Sequence, residues 1–515
     1  MARTSVTTRV ERRRLPLVVA LATALGLATA SPAASATTRL VGRCGDMVGK
    51  GGDTLRVAIS KAVSGDIVDL TPLPLTCTTI TLTGGEIPIA VDSLIISSPR
   101  QITVDGNNAG RIFNHSATGI LSIQYLTLTH GNAGASDGGC IFSAGEVSLS
   151  HSTITACQTS GSGGGMRAQS CFVGYSAIDA NLASIGAGLS CAVGAMFVHS
   201  SVSGNLLGGG VSAGAVEAYY STFANNATHL AGGGIASFGA GGVKLVNSTV
   251  SGNSTTVESP YYDAGGAWSV GDMTVQGSII SGNTSAVNAG GLKSNGNMTL
   301  TDSTVSGNHA SGDNGGLTAN SVSMIRSTID SNTAAFGAGG GSATSAIISN
   351  STISGNTAPI AAGFAASTLQ ISNSTVAFNV ATGATSSSVG GIYGSNVTMA
   401  STIVADNTTN GSGPADVLIQ GAAAFQPGSS LIVSCNRTTL SIQEDPKLTP
   451  LALHGGTVRT HALSTGSPAI DTGTSGGLPT DERGSGYPRV VGAAADIGAY
   501  ERQATDDELF YSGFD

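Results

Sequence analysis

The chain has 515 residues, 74 of them Gly, with only 10% charged and 4% aromatic residues, a net charge of −9 and a mean hydropathy of +0.20. Disordered chains pair low hydropathy with high charge, so this composition excludes them, and the acidic balance excludes nucleic acid and anionic membrane surfaces as partners. Abundant Gly, Ser, Thr, Asn, Val and Ile with few long side chains suit narrow strands joined by tight turns, the profile of a β-solenoid.

Residues 1–36 read as a signal peptide. Arg3, Arg9, Arg12, Arg13 and Arg14 form a basic n-region, 15–30 the apolar core, and Ala34-Ser35-Ala36 a small-residue cleavage site. The apolar run is about 15 residues against the ~20 a spanning helix needs, which makes a membrane anchor the weaker reading. The three consecutive Arg leave a twin-arginine export route open. Cleavage near Ala36 leaves 17 basic and 30 acidic residues, a net charge of −13, in a secreted or cell-surface chain. That mature chain has no second apolar run long enough to cross a bilayer.

Residues 37–131 read as an N-terminal cap followed by the first coils. Leu55, Ala58, Ile59 and Ala62 have helical spacing, so 54–63 is expected to be a short amphipathic helix covering the open solenoid end. Strand-like runs follow at 67–70, 79–82, 94–96 and 101–104.

Across 132–443 a motif recurs, as in HSTITACQ, NSTVSGNS, DSTVSGNH and NSTISGNT. Its first Ser or equivalent stands at 152, 176, 200, 221, 248, 278, 303, 327, 351, 374 and 401, a mean period of about 25 residues. Each unit also carries a Gly pair, among them Gly138-Gly139, Gly164-Gly165, Gly233-Gly234 and Gly315-Gly316, read as a turn that needs positive φ. Aligned coils expose three apolar columns: Leu149, Val173, Phe197 and their equivalents; Val147, Cys171, Ala195 and theirs; and Ile154, Ile178, Val202 and theirs. Spacing of two within a column pair is the strand period with the apolar side turned inward.

Three residues after the third column stands Asn, at Asn181, Asn205, Asn226, Asn253, Asn283, Asn308, Asn332, Asn356, Asn379 and Asn407. Coils stacked every ~4.8 Å let these amides bond coil to coil as a ladder. The position before the Ser-Thr step holds Asn247, Gly277, Asp302, Asn350 and Asn373, residues that tolerate αL, so it reads as a corner between two strands. About eleven coils at ~4.8 Å make more than 50 Å of solenoid. The fold class expected is all-β, a right-handed parallel β-helix with a short N-terminal capping helix. Residues 444–502 lack the repeat and read as a C-terminal cap or small attached domain, with 503–515 as a tail.

The run GDTLRVAISKAVSGDIVDL with TITLTGGEIPI, SLIIS, ITVDGN and RIF resembles the start of bacterial extracellular proteins with a CSLREA-type N-terminal segment. Gly52-Asp53 stands where Cys-Ser would begin that motif. The Gly-Gly-hydrophobic marks and the Val/Ile/Phe-x-x-Asn marks look like the repeats of chlamydial polymorphic outer-membrane proteins. The run EDPKLTPLALHGGTVRTHALSTGSPAIDTG, with TDERG and DIGAYE after it, is similar to the choice-of-anchor Q domain, and ELFYSGFD resembles a tail of some proteobacterial secreted proteins. These resemblances imply a pectin-lyase-like β-helix exported to the cell surface or medium, and no particular reaction.

Seven Cys permit disulfides in an exported chain and leave one over. Cys44 and Cys77 flank the helical cap and are the candidate pair; Cys140, Cys171 and Cys191 fall on inward positions and read as buried free thiols, and Cys157 takes the place of a ladder Asn. With no C-x-x-C or His-x-x-x-His pattern, no metal site is expected.

Polysaccharide cleavage on such a scaffold needs paired acids for hydrolysis, or a calcium-binding acid cluster with a base for elimination. From 120 to 410 there are 11 acids, about one per coil and mostly out of phase. Asp302 and Arg326 share a corner position in adjacent coils with Asp330 four residues on, readable as a surface ion pair or a sugar-binding patch. His151, Tyr175, His199 and Tyr220 occupy the corner in four successive coils, readable as rings packed on each other or as a sugar platform. Asp481-Glu482-Arg483 and Asp496 look chemical, but the family resemblance implies turn-forming structure there.

The leading function is a secreted or surface-exposed, adhesin-like structural protein without evident catalysis, with glycans or cell-surface components as partners and no cofactor. The second is a polysaccharide lyase or glycoside hydrolase, for which alone calcium would be a cofactor; it rests on fold analogy. The third is ice binding by an outward Thr-x-Ser array at Thr249/Ser251, Thr304/Ser306 and Thr352/Ser354, interrupted by Asp330, Ile279 and Ala377.

Overall fold

In a computed structural model, residues 36–47, 53–256, 263–421, 424–437, 442–503 and 506 are described. Residues 1–35 of the expected signal peptide and most of the 503–515 tail lie outside them. From Thr38 to Ile432 the described residues form a parallel β-solenoid of about 15 turns. One row of three-residue strands shows the stacking. Thr153–Thr155 pairs in parallel with Ala177–Asp179, and the row continues through Ser201–Ser203, Thr222–Ala224, Thr249–Ser251, Ile279–Ser281, Thr304–Ser306, Thr328–Asp330, Thr352–Ser354 and Thr375–Ala377 to Ile403–Ala405. Longer strands such as Met166–Gly174, Leu189–Val198 and Val211–Tyr219 stack beside it, and eight short strands from Ala227–Thr228 to Thr408–Thr409 make a separate sheet.

The inward columns are buried throughout: Leu149, Val173, Phe197, Ile154, Ile178 and Val202 are all closed to solvent. Burying such side chains supplies about 1.5–3 kcal/mol each, the main force holding coil on coil. The corner between the long and the three-residue strands is one αL residue in each coil, with φ of 50° at His151, 51° at Tyr175, 49° at Asn247, 45° at Arg326 and 54° at Asn350. A second αL residue precedes the ladder position, for example Ala180, Asn225 and Ser331.

The ladder itself is continuous. The side-chain Nδ2 of Asn181 donates to Asn205 Oδ1 at 3.0 Å, and the same step repeats through Asn226, Asn253, Asn283, Asn308, Asn332, Asn356 and Asn379 to Asn407. Each backbone N–H also donates to the next Oδ1, and each Nδ2 to a carbonyl of the coil before, as Asn283 does to Val250. Asp416 ends the ladder by accepting from Asn407 Nδ2 at 2.9 Å. A second ladder runs on the motif serines: the backbone N–H of Ser152 donates to Ser176 Oγ, that of Ser176 to Ser200 Oγ, and so on to Ser351 and Ser374. Both ladders satisfy backbone groups that the αL corners take out of the sheets.

The Gly pairs differ from their sequence reading. Most have ordinary φ; Gly138 and Gly209 are in the positive region, while Gly164, Gly165, Gly315 and Gly316 are not. Side-chain absence is needed instead because the second Gly lies against the ladder. A Cβ on Gly316 would meet Gly340 O at 2.2 Å and Asn332 Nδ2 at 3.1 Å, and Gly165, Gly234, Gly266 and Gly291 face their coils' ladder Asn in the same way.

That contact explains the cysteines. Cys140 stands before Ile141 as Gly165 stands before Met166, its register partner, so it occupies the second-Gly position and faces the ladder position held by Cys157. The two are joined, and Cys171 is joined to Cys191 of the following coil across a register shift. The reading of Cys140, Cys171 and Cys191 as free thiols is therefore corrected: the inward positions within one coil (Cys140, Cys157) and in successive coils (Cys171, Cys191) lie 5.5 and 6.1 Å apart between Cα atoms, within disulfide reach. Cys44 and Cys77 form the third bridge and Cys435 is the free thiol, its pKa raised by burial. Thiol titration of the denatured, unreduced protein is expected to count one thiol, and seven after reduction. Losing any one bridge is expected to cost about 2–4 kcal/mol.

The N-terminal helix is Leu55–Ser60, shorter than expected, because Lys61 already closes its last turn. Thr54 caps it, and Leu55, Ala58 and Ile59 pack onto Thr38–Leu40, Ile67–Asp69 and Ile87–Ile89. At the other end of the chain, residues 446–503 fold back onto the solenoid. They lie along its side, over the outward side chains of the row from Thr304–Ser306 to Ile403–Ala405. Ala462, Leu463, Ala469, Ile497 and Tyr500 close an apolar core there with Ile403, Ala405 and Leu431.

Candidate recognition face

The three-residue strand row presents two outward columns beside the αL corner. Alternation sends the middle residue inward and its neighbours out, so Thr153 and Thr155 point away from the core that holds Ile154. Over the C-terminal coils this face is covered. Thr328 Oγ1 donates to Arg459 O at 2.6 Å, and Thr352 Oγ1 lies 2.5 Å from Glu482 Oε2 and 3.0 Å from Thr460 Oγ1. Ser354 Oγ lies 2.8 Å from His461 Nε2, and the corner amides Asn350 and Asn373 donate to Thr480 O and Thr474 O. Thr352 and Ser354, expected in an outward Thr-x-Ser array, are thereby buried, which removes that part of the array from any ice surface.

Asp330 belongs to this buried contact rather than to a patch with Asp302 and Arg326. Arg326 holds Asp302 by Nε and Nη2 at 2.7 and 3.0 Å, a half-exposed pair worth under ~1 kcal/mol. Asp330 is closed to solvent, and its Oδ2 takes Arg459 Nη2 at 2.5 Å and Ser306 Oγ at 3.1 Å. The correction has a simple cause: a residue 129 positions away folds back onto the acid. Burial raises the Asp330 pKa, opposed by the Arg459 charge.

In the covering segment Asp481, Glu482, Asp496 and Glu501 are buried too. Arg483 lies between the rings of Tyr487 and Tyr500, its Cζ 4.0 and 3.8 Å from their centroids, and donates twice to Asp481 Oδ2. Burial raises the pKa of Glu482 well above its usual value and that of Glu501 to about 7. It lowers that of His461 to about 4. Asp481, Glu482 and Arg483 form a turn closed by the Gly484 N–H donating to Asp481 O, and none is reachable by a substrate.

Over the N-terminal coils the same face is open. Its corner column is Tyr125, His151, Tyr175, His199 and Tyr220, stacked at 4.8, 5.1, 5.0 and 4.9 Å with interplanar angles of 8–17°. Tyr125 escaped the sequence reading because its coil lacks the Ser-Thr step, carrying Tyr125-Leu126-Thr127 instead. Since each ring covers its neighbour, the column offers edges to solvent rather than faces, and a sugar cannot lie flat on the inner rings. Tyr175 and Tyr220 are more than half exposed, at 56% and 55%. Beside the rings runs an open groove of about 690 Å³ lined by Thr153, Ala177, Ser201 and Thr222. The arrangement is a ladder of phenol, imidazole and aliphatic hydroxyl groups suited to hydrogen bonding with an extended polar polymer. Among the described residues no three His, Cys, Asp or Glu side chains gather into a group that could hold a metal.

No family model matches the chain, and no curated protein matches it. Among solved structures it is similar to the crystal structure of pectate lyase Pel9A. The identity is 13%, 91% of this chain and 98% of that one are covered, and the TM-score is 0.26. A likeness that loose carries nothing about chemistry; the fold stands on the strand pairings themselves. No helix among the described residues is long and apolar enough to cross a membrane.

Proposed function

We propose that this protein is an exported, surface-displayed β-helix of the CSLREA and choice-of-anchor Q type, adhesin-like and without catalysis. Its open face carries the contact with glycans or other cell-surface components. The observation that supports this reading is the contrast between the two halves of one face. Asp330 on one half is sealed under residues 446–503, whose own Asp481, Glu482, Asp496 and Glu501 are buried with it, while the half with the ring column and hydroxyls is open. A lyase or hydrolase would need the opposite arrangement, acids at an open groove.

Tyr175→Ala and His199→Ala, separately and together, test the reading. These exposed substitutions leave the inward columns untouched, so the melting temperature is expected to hold within a few degrees. Retention on immobilised cell-surface material and on a glycan array is expected to fall at least tenfold in the double variant. Retention equal to the parent protein would remove the ring column from the function.

A further inference from the structure

The covered half of the face records what kind of ligand the face accepts, and part of that record is repeated in the open half. Asp179 stands in unbroken register with Asp330 through Ser203, Ala224, Ser251, Ser281 and Ser306. The coil before Asp330 supplies Ser306, whose Oγ accepts from Arg459 Nη2 at 2.9 Å; the coil before Asp179 supplies Thr155 at the same position. The coil after Asp330 supplies Thr352 and Ser354, which hold Thr460 and His461; the coil after Asp179 supplies Ser201 and Ser203. Two positions differ: Thr328, which donates to the Arg459 carbonyl, is replaced by Ala177, and Ser331, which donates to Asp330 Oδ2, by Ala180. Thr155, Asp179, Ser201 and Ser203 are all partly exposed, and Asp179 Oδ1 has no hydrogen-bond partner, as Asp330 Oδ1 has none.

We propose that Thr155, Asp179, Ser201 and Ser203 form a docking site for an arginine-bearing extended segment of a partner polypeptide. The arginine pairs with Asp179 and Thr155, and polar neighbours of it meet Ser201 and Ser203 as Thr460 and His461 meet Thr352 and Ser354. Three features select this occupant. The site repeats, on the same strand row, residues that elsewhere hold polypeptide. Its acid is placed for a guanidinium, which recognises a carboxylate by fixed N–H geometry. The mature chain's net charge of −13 draws cationic segments toward it. The inference rests on the adhesin-like reading and names the partner's chemistry.

The probe is a labelled peptide of residues 456–464, GTVRTHALS, titrated into the intact protein. Saturable binding is expected, weakened at least tenfold by Asp179→Asn and by replacing the peptide's Arg with Gln. Thr155→Val, which keeps the carboxylate, is expected to weaken it severalfold. Asp92→Asn, at an exposed acid elsewhere, is expected to leave it unchanged. No binding, or binding indifferent to both Asp179→Asn and Thr155→Val, overturns the proposal. So does a dimer in sedimentation that Asp179→Asn dissolves, or a glycan whose binding Asp179→Asn abolishes, since each names a different occupant. Ring-dependent surface retention without peptide binding would sink this inference and leave the adhesin-like reading standing.

Discussion

Asn283→Asp is expected to destabilise the solenoid by about 3–5 kcal/mol at neutral pH, although the two side chains have the same shape. Asn283 is closed to solvent, accepts from the N–H and Nδ2 of Asn253, and donates to Val250 O and Asn308 Oδ1 at 2.9 Å each. A carboxylate keeps both acceptor roles, loses both donors, and faces two oxygens across those distances. The chain places its own acid only where this conflict is absent. Asp416 terminates the ladder with every contact an accepted one, from Asn407 on one oxygen and from Ser434 N and Oγ on the other. Protonation returns one donor to the variant, so its folded-state pKa is raised, and the stability it keeps at low pH is lost as pH rises. Thermal melts at pH 4 and pH 7.5, with hydrogen exchange read over 250–308, test this. A variant within 0.5 kcal/mol of the parent at pH 7.5 would show that the ladder is ornamental.

Glu482→Gln is expected to do the reverse, tightening the hold of residues 446–503 above neutral pH. Burial raises the pKa of Asp330, Asp481, Glu482, Asp496 and Glu501, the last to about 7. Groups raised in the folded state contribute stability that is whole below their unfolded pKa and lost as pH rises through the folded one. His461 and His454 act oppositely: burial lowers both, His461 to about 4, so their contribution is lost as pH falls below about 6.5. Above pH 6.5 the histidine contribution is constant, Glu501 passes through its pKa of about 7, and docking weakens. Each unit of raised pKa corresponds to a tenfold change in opening, about 1.4 kcal/mol. Glutamine cannot ionise, keeps an oxygen for Thr352, and places its amide where Glu482 Oε1 has no partner. Limited proteolysis of the segment at pH 5 and pH 8.5 is expected to give parent-like rates at the lower pH and protection at the higher. Faster cleavage of the variant at pH 8.5 would contradict a neutral, buried Glu482.

Short-range periodicity made the fold legible. A period-two apolar pattern repeated every ~25 residues leaves no helical alternative, and Ile154, Ile178 and Val202 stack as that pattern requires. Contacts between different columns were harder to see. The second Gly and the ladder Asn of one coil touch, so replacement of both by Cys140 and Cys157 in a single coil was the available sign of a bridge. Cys171 and Cys191 carried no such sign, because a register shift between Ala168 and Ser170 brings their columns together. The partner of Asp330 could not be read from any repeat, since Arg459 lies in the non-repeating segment. Nor does any local pattern say that a hydroxyl row alike along its length is open near Thr153 and covered near Thr352. That difference is set by where residues 446–503 fold back, and it divides the face into a sealed half and an exposed one.

The claim that the open half binds and does not cleave is tested by turnover. The purified protein would be incubated with pectins, alginate and other plant and bacterial glycans, with and without calcium, while unsaturated products and new reducing ends are followed. The expected result is no product under either condition, together with surface retention that Tyr175→Ala and His199→Ala reduce. Product formation abolished by substitution of an acid, Asp179 on the open face or Glu482 within the covering segment, would contradict it.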